Sequence, residues 1–179
     1  MKRSAERGFT LVEIMIVVAI IALLAAIAIP SVLRSRTSAN EAASVGNLHA
    51  LVTSLETYRS TTNAYPDAWQ ADMYGANCTV GTAPDPDFGL PSFCVDISTE
   101  QTVQGYDYVY TASPANCDNG AGGICSQYNI LATPGTLGRT GTRSFYVDES
   151  GTVRHCTGTG AAATMADDTT IDRPPQDCD

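Results

Sequence analysis

Residues 8–33 read GFTLVEIMIVVAIIALLAAIAIPSVL. From Ile14 to Leu33 the chain carries no formal charge, and a run of that length, at about 1.5 Å per residue, crosses the hydrocarbon core of a bilayer as a helix. Lys2, Arg3 and Arg7 precede the run, which holds the N-terminus in the cytoplasm; Arg34 and Arg36 follow it, so the charge asymmetry alone is slight. Orientation is settled by the cysteines. Cys78, Cys94, Cys117, Cys125, Cys156 and Cys178 all lie beyond the run, and an even set in a small domain behind a membrane-targeting segment reads as a disulfide framework in an oxidising compartment. The spacings contain no CxxC, and His49 and His155 are the only histidines, so a zinc site is disfavoured.

An ordinary secretory signal is cut after its apolar stretch, and the small residues at Ala25–Ala28 imitate such a site. Here a Gly8-Phe9 junction stands before the stretch instead, and a lone acid, Glu13, lies at its beginning. The run Gly8-Phe9-Thr10-Leu11-Val12-Glu13-Ile14-Met15 closely resembles the prepilin signature of type IV pilins and type II secretion pseudopilins. The resemblance is specific from Gly8 to Pro30, looser as far as Pro66, and beyond that rests on layout. It implies a leader, residues 1–8, removed by a dedicated prepilin peptidase on the cytoplasmic face, followed by methylation of the new N-terminal Phe9. Residues 9–33 would then be retained as a transmembrane helix and, later, as filament core.

Glu13 is conspicuous on physical grounds as well, since a carboxylate inside an apolar segment is costly to insert. Either it sits at the headgroup level or it pairs with a buried cation. After cleavage the nearby cation is the amine of Phe9, on its own chain or on a neighbour's, and the resemblance implies an intersubunit pair that sets axial register. Ala19, Ala22, Ala25, Ala26 and Ala28 permit close helix approach, which suits a bundle of identical helices and an inert anchor alike. Pro30 removes a donor and clashes with the carbonyl of Ala26, so a kink or local unwinding is expected there.

After Pro30 the helical pattern resumes over residues 34–60, with Leu48, Leu51, Val52, Leu55 and Tyr58 on one face. A continuous helix from Thr10 to Arg59 is expected, ending at Ser60–Asn63 and Pro66. His49 reads as a structural or solvent-facing residue. Tyr65-Pro66 resembles the dipeptide found at this point in the same family. Residues 61–179 form the globular domain. Within it, 67–104 show no period and read as a loop held by Cys78 and Cys94. Strands are expected where Tyr106, Tyr108 and Tyr110 alternate, where Tyr128, Ile130 and Ala132 alternate, around Phe145 and Val147, and from Thr152 to Cys156 after a turn at Asp148–Gly151. The fold class is α+β: a long N-terminal helix packed on a small antiparallel sheet. Pairings Cys78–Cys94, Cys117–Cys125 and Cys156–Cys178 each close a short loop, the last resembling the C-terminal disulfide loop of type IV pilins; a crossed pattern stays open.

The formal charge is −9, and without the leader it is −11 with no lysine left. Such a surface repels phosphate backbones and disfavours broad nucleic-acid binding, although a localised arginine patch could still bind DNA. No Ser-His-Asp, Cys-His or paired-carboxylate constellation can be assembled, and P-loop and dinucleotide fingerprints are absent, so the chain does not read as an enzyme. Asp85, Asp87, Asp167, Asp168 and Asp172 are oxygen donors of the kind calcium takes, but the calcium loop that the likeness to major pseudopilins raises has no matching motif; no cofactor is expected, and calcium stays open as the one metal these residues could take. Asn77-Cys78-Thr79 fits a glycosylation acceptor, although a bonded Cys78 explains the site better. The resulting expectation is a structural subunit, anchored once in the bacterial inner membrane with its C-terminus in the periplasm, that polymerises with copies of itself through inner-membrane assembly machinery. The filament expected is a type IV pilus, and the sequence leaves open whether it serves motility, adhesion or DNA uptake. The alternatives are a periplasmic pseudopilus of type II secretion, or a minor pilin acting as a tip adhesion module.

Overall fold

The computed structural model describes residues 9–74, 88–94, 96–114, 117–119 and 123–158. It divides into two compact units, Met1–Arg36 and Thr37–Asp179. Helix α1 (Leu11–Thr62) supplies residues to both and stays helical through Pro30. Of the kink or local unwinding expected at Pro30, the unwinding does not occur in the single chain. The ring deletes a single donor, and the Ala, Ile and Leu neighbours keep the rest of the hydrogen-bond ladder.

In the second unit, residues from Thr37 to Thr62 form one layer and an antiparallel sheet forms the other. The strands are β1 (Gln101–Val103), β2 (Tyr106–Ser113), β3 (Gln127–Pro134), β4 (Arg143–Asp148) and β5 (Arg154–Thr157). They lie in sequence order, each antiparallel to the next. Tyr108 stands opposite Ala132 and Tyr110 opposite Ile130, while Ala132 and Ile130 in turn face Phe145 and Val147. The period-2 pattern read from the sequence puts these side chains on one buried face, against Leu48, Leu51, Leu55 and Tyr58 of α1.

Two expectations need correction. Residues 67–104 contain more than loop: helix α2 (Trp69–Tyr74), a 3-10 turn at Pro91–Phe93 and strand β1. Six- and three-residue elements are too short to display a period, and what orders them is burial of Trp69, Met73, Tyr74 and Phe93 in the core. The last strand begins at Arg154, because Ser150 and Arg154 both bond Asp148 and hold the preceding turn to Gly151, whose φ is +70°.

The core is rich in tyrosine, and most of its hydroxyls are satisfied. Tyr106 donates to the Arg143 carbonyl (2.8 Å), Tyr108 to Ser44 Oγ (3.0 Å) and Tyr110 to the Pro66 carbonyl (2.7 Å). Successive inward residues of β2 thus tie the sheet to β4, to α1 and to the segment after α1. Tyr128 is the exception, its buried hydroxyl lacking a partner among the described residues. A second tie is charged. Glu41 of α1, nearly buried, accepts from the Thr142 amide and hydroxyl (2.8 and 2.7 Å) and from Arg143 Nε and Nη2 (2.9 and 2.7 Å). Burial pushes its carboxyl up, but these donors outweigh that and hold it below the ordinary 4.5.

His155, buried beside the Phe145 ring, is driven below its ordinary 6.5, first by burial and then by the charge of Arg143, with Glu41 opposing. Its contribution to stability is complete above pH 6.5, where both states are neutral, and is lost as pH falls below 6.5, where the unfolded chain takes up the proton first. Glu41 and Asp148 hold their contributions above 4.5 and 3.8 and lose them at lower pH; Asp72, raised by burial and by its bond with Asp67, works in the opposite sense in the same acid range. Denaturant midpoints of the unit starting at Thr37 should therefore already fall between pH 7 and 5, and His155→Gln should flatten that interval. A flat wild-type profile there would contradict the assignment.

Candidate functional site

The described part of the first unit is a helix that buries almost nothing of itself. Large apolar side chains from Phe9 (83% exposed) to Leu33 (51%) stand free, and the helix is long and apolar enough to cross a membrane. Leu, Ile, Val and Ala surround its axis, so no single stripe faces a core. Ala25 is the one half-buried residue in the stretch from Leu11 to Leu33.

Glu13 sits in the first turn, and its carboxylate is engaged within its own chain. Thr10 precedes the helix; its amide and its hydroxyl both donate to Glu13 Oε2 (2.9 and 2.8 Å), and the Glu13 amide donates back to Thr10 Oγ1 (3.3 Å). This is a capping box, each residue satisfying a donor that the helix start leaves open. The pattern Thr-x-x-Glu before an apolar run is the sequence signature of such a box, and it stands beside the two roles expected of Glu13, at the headgroup level or in an ion pair. The cap places Glu13 close to Phe9 in the chain and at the positive end of the helix dipole, where an anion is favoured. One carboxylate oxygen, Oε2, takes both donors from Thr10.

Of the other residues singled out from the sequence, Gly8 lies outside the described residues, as do Asn77, Cys78, Thr79, Asp85, Asp87, Asp167, Asp168, Asp172 and Cys178. Cys117–Cys125 forms as expected. Cys94 and Cys156 are also disulfide-bonded, while Cys78 and Cys178, expected as their partners, fall outside the described residues. His49 is exposed on α1. Among the described residues no three His, Cys, Asp or Glu side chains converge as metal ligands.

The profile of the prokaryotic N-terminal methylation motif matches residues 3–29. The chain is similar to the type II secretion system core protein G of Pseudomonas aeruginosa, 37% identical over 70 residues that make 39% of this chain and 49% of that protein. It is similar also to the type IV major pilin protein PilA of Myxococcus xanthus, 46% identical over 62 residues, 35% of this chain and 28% of that one. A third relative, the type IV wide pilus major component PilA4 of Thermus thermophilus, is 44% identical over 59 residues, 33% of this chain and 45% of that protein. The chain thus spans half or less of the length of these curated relatives. No solved structure matches it.

Proposed function

We propose that this chain, which belongs through its N-terminal segment to the family of type IV pilins and type II secretion pseudopilins, is a structural subunit that polymerises through α1 into a filament. The observation that carries the reading is the apolar helix with almost no cover from its own fold and a single capped carboxylate at its start. A surface of that size needs lipid or other copies of itself. The same helix meets both needs in turn, first as an inner-membrane anchor and then as filament core. A prepilin peptidase and inner-membrane assembly machinery act on it. The globular unit, in the periplasm before assembly, stays outside the filament core and performs no catalysis. Assembled, the subunit belongs to an extracellular pilus; the pseudopilus reading is supported by the secretion-protein relatives that match the same stretch. A gene neighbourhood of pilus retraction genes, as against a secretion operon, distinguishes the two.

Cleavage should fall between Gly8 and Phe9, on the basic side of the apolar helix. N-terminal sequencing and mass measurement of membrane or filament protein should find a methylated Phe9. A start after Ala26 or Ala28 would mean an ordinary signal and a chain without its anchor, which would sink the proposal.

A further inference from the structure

The loop between β3 and β4 is built at the end of the globular unit where α1 enters it. The Asn40 side chain donates to the Thr140 carbonyl (3.0 Å), and Glu41 holds Thr142 and Arg143. Asn40 is seven residues past Leu33, the last residue of the apolar run, no more than about 25 Å of chain even fully extended. In an anchored subunit this loop is therefore within reach of the outer leaflet. It is also rigid. The Gly138 amide donates to the Gly141 carbonyl (2.8 Å), the amides of Arg139 and Thr140 donate to the Thr136 carbonyl (3.1 and 2.9 Å), and Thr140 Oγ1 accepts from the Thr136 amide (3.0 Å). Gly141 is required, because a Cβ there would lie 2.0 Å from the Tyr106 hydroxyl oxygen.

This frame displays two side chains that the fold does not use. Leu137 is 51% exposed; among the described residues of the globular unit Ile124 is the other large apolar residue so exposed, and the Cys125 carbonyl beside it accepts from the Tyr65 amide, beyond the opposite end of α1. Arg139 is exposed and engages no described side chain, whereas Arg59 bonds Tyr65, Arg143 pairs with Glu41 and Arg154 with Asp148. The loop itself contains no acid. Of the described carboxylates that touch the loop, Glu41 is paired with Arg143, and Asp107 accepts from the Thr102 hydroxyl. A cation that no described side chain engages, beside an exposed apolar side chain on a hydrogen-bonded turn in an otherwise acidic protein, is complementary to the surface of an anionic bilayer: phosphate for the guanidinium, the acyl boundary for the leucine.

We propose that the β3–β4 loop is a membrane contact, Arg139 binding an anionic phospholipid headgroup while Leu137 enters the interface. The contact rests on the anchored reading above. One arginine and one leucine bind weakly when free, but the anchor makes the encounter intramolecular.

The test uses the full chain, one copy per nanodisc, in phosphatidylglycerol–phosphatidylcholine or in phosphatidylcholine alone, with plain or brominated acyl chains. Trp69, the only tryptophan, is fully buried, so wild-type emission should ignore bromine. Interfacial side chains sit about 5–10 Å into the boundary, so the emission that Leu137→Trp adds over wild type should drop roughly twofold with brominated anionic lipid. Adding Arg139→Glu, or omitting the anionic lipid, should remove most of that drop. Emission of Leu137→Trp indifferent to bromine, or quenching indifferent to Arg139→Glu, overturns the contact while leaving the anchor intact. Shielding seen in sheared filaments but not in discs assigns the loop to a neighbouring subunit instead and also overturns it. A chain that does not copurify with the disc removes the anchored reading, and this inference with it.

Discussion

Filament yield is expected to fall at least about tenfold, or to nothing, when Glu13 is replaced by Ala, although the variant is processed and membrane-resident. Removal of a carboxylate eases insertion, and Gly8 and Phe9 are untouched. What is lost in the proposed filament is the partner of the neighbour's Phe9 amine, and one charge of a buried pair left uncompensated is strongly destabilising. The penalty recurs at every subunit added, so co-expression with wild type should give fewer or shorter filaments. The capping box makes a second variant necessary. Glu13→Ala also removes the side chain that bonds the Thr10 amide, so frayed helix starts alone would lower the yield. Glu13→Gln keeps a group able to close the box and removes only the charge. If both variants fail, the charge is what assembly needs. If Gln restores wild-type yield of sheared filaments, the intersubunit ion pair is wrong and Glu13 acts as a cap.

Replacing Trp69 by Ala should instead cost the globular unit about 3–5 kcal/mol, the usual range for removing a buried large aromatic side chain. Trp69 is fully buried between Tyr74 and Tyr110, with ring centroids at 6.3 and 4.9 Å, and its indole donates to the Phe93 carbonyl at 3.2 Å. One side chain thus holds α2, the 3-10 turn and β2 together. Truncation opens a cavity and leaves a buried carbonyl short of its donor. Domains of this size are stable by only about 5–15 kcal/mol, so a large fraction would go. The soluble fragment for the measurement must start no later than Thr37, because Leu48, Leu51 and Leu55 are core residues of this unit. Denaturant unfolding of oxidised fragment, with matched m-values, gives the difference. A loss below about 1 kcal/mol would mean that the segment after α1 is not tied to the core as described. Together the two substitutions separate the helix proposed to assemble from the domain it carries.

Local, periodic features were legible without coordinates. The uncharged run from Ile14 to Leu33 needs only a count of residues. The apolar face at Leu48, Leu51, Leu55 and Tyr58 follows from the 3.6-residue period, and the inward tyrosines of β2 follow from the period of two. Each signal is repeated along its own element, so neighbours in sequence reinforce it. Thr10 and Glu13, three residues apart, were equally readable.

What only the tertiary structure decided depends on residues far apart in the chain. Nothing near Glu41 announces that its carboxylate is buried, since the four donors that make burial affordable come from Thr142 and Arg143, about a hundred positions later. The helicity of α2 is likewise too short to read locally and exists because Trp69 and Tyr74 find a core to enter. The exposure of Arg139 could not be separated from the pairing of Arg143 and Arg154 by composition, because all three are arginines in similar polar surroundings. Period and charge count mark the long helix, the longer strands and the apolar run; which polar groups meet is fixed only when the sheet closes on α1, because hydrogen bonds act over about 3 Å and a sequence carries no such distances.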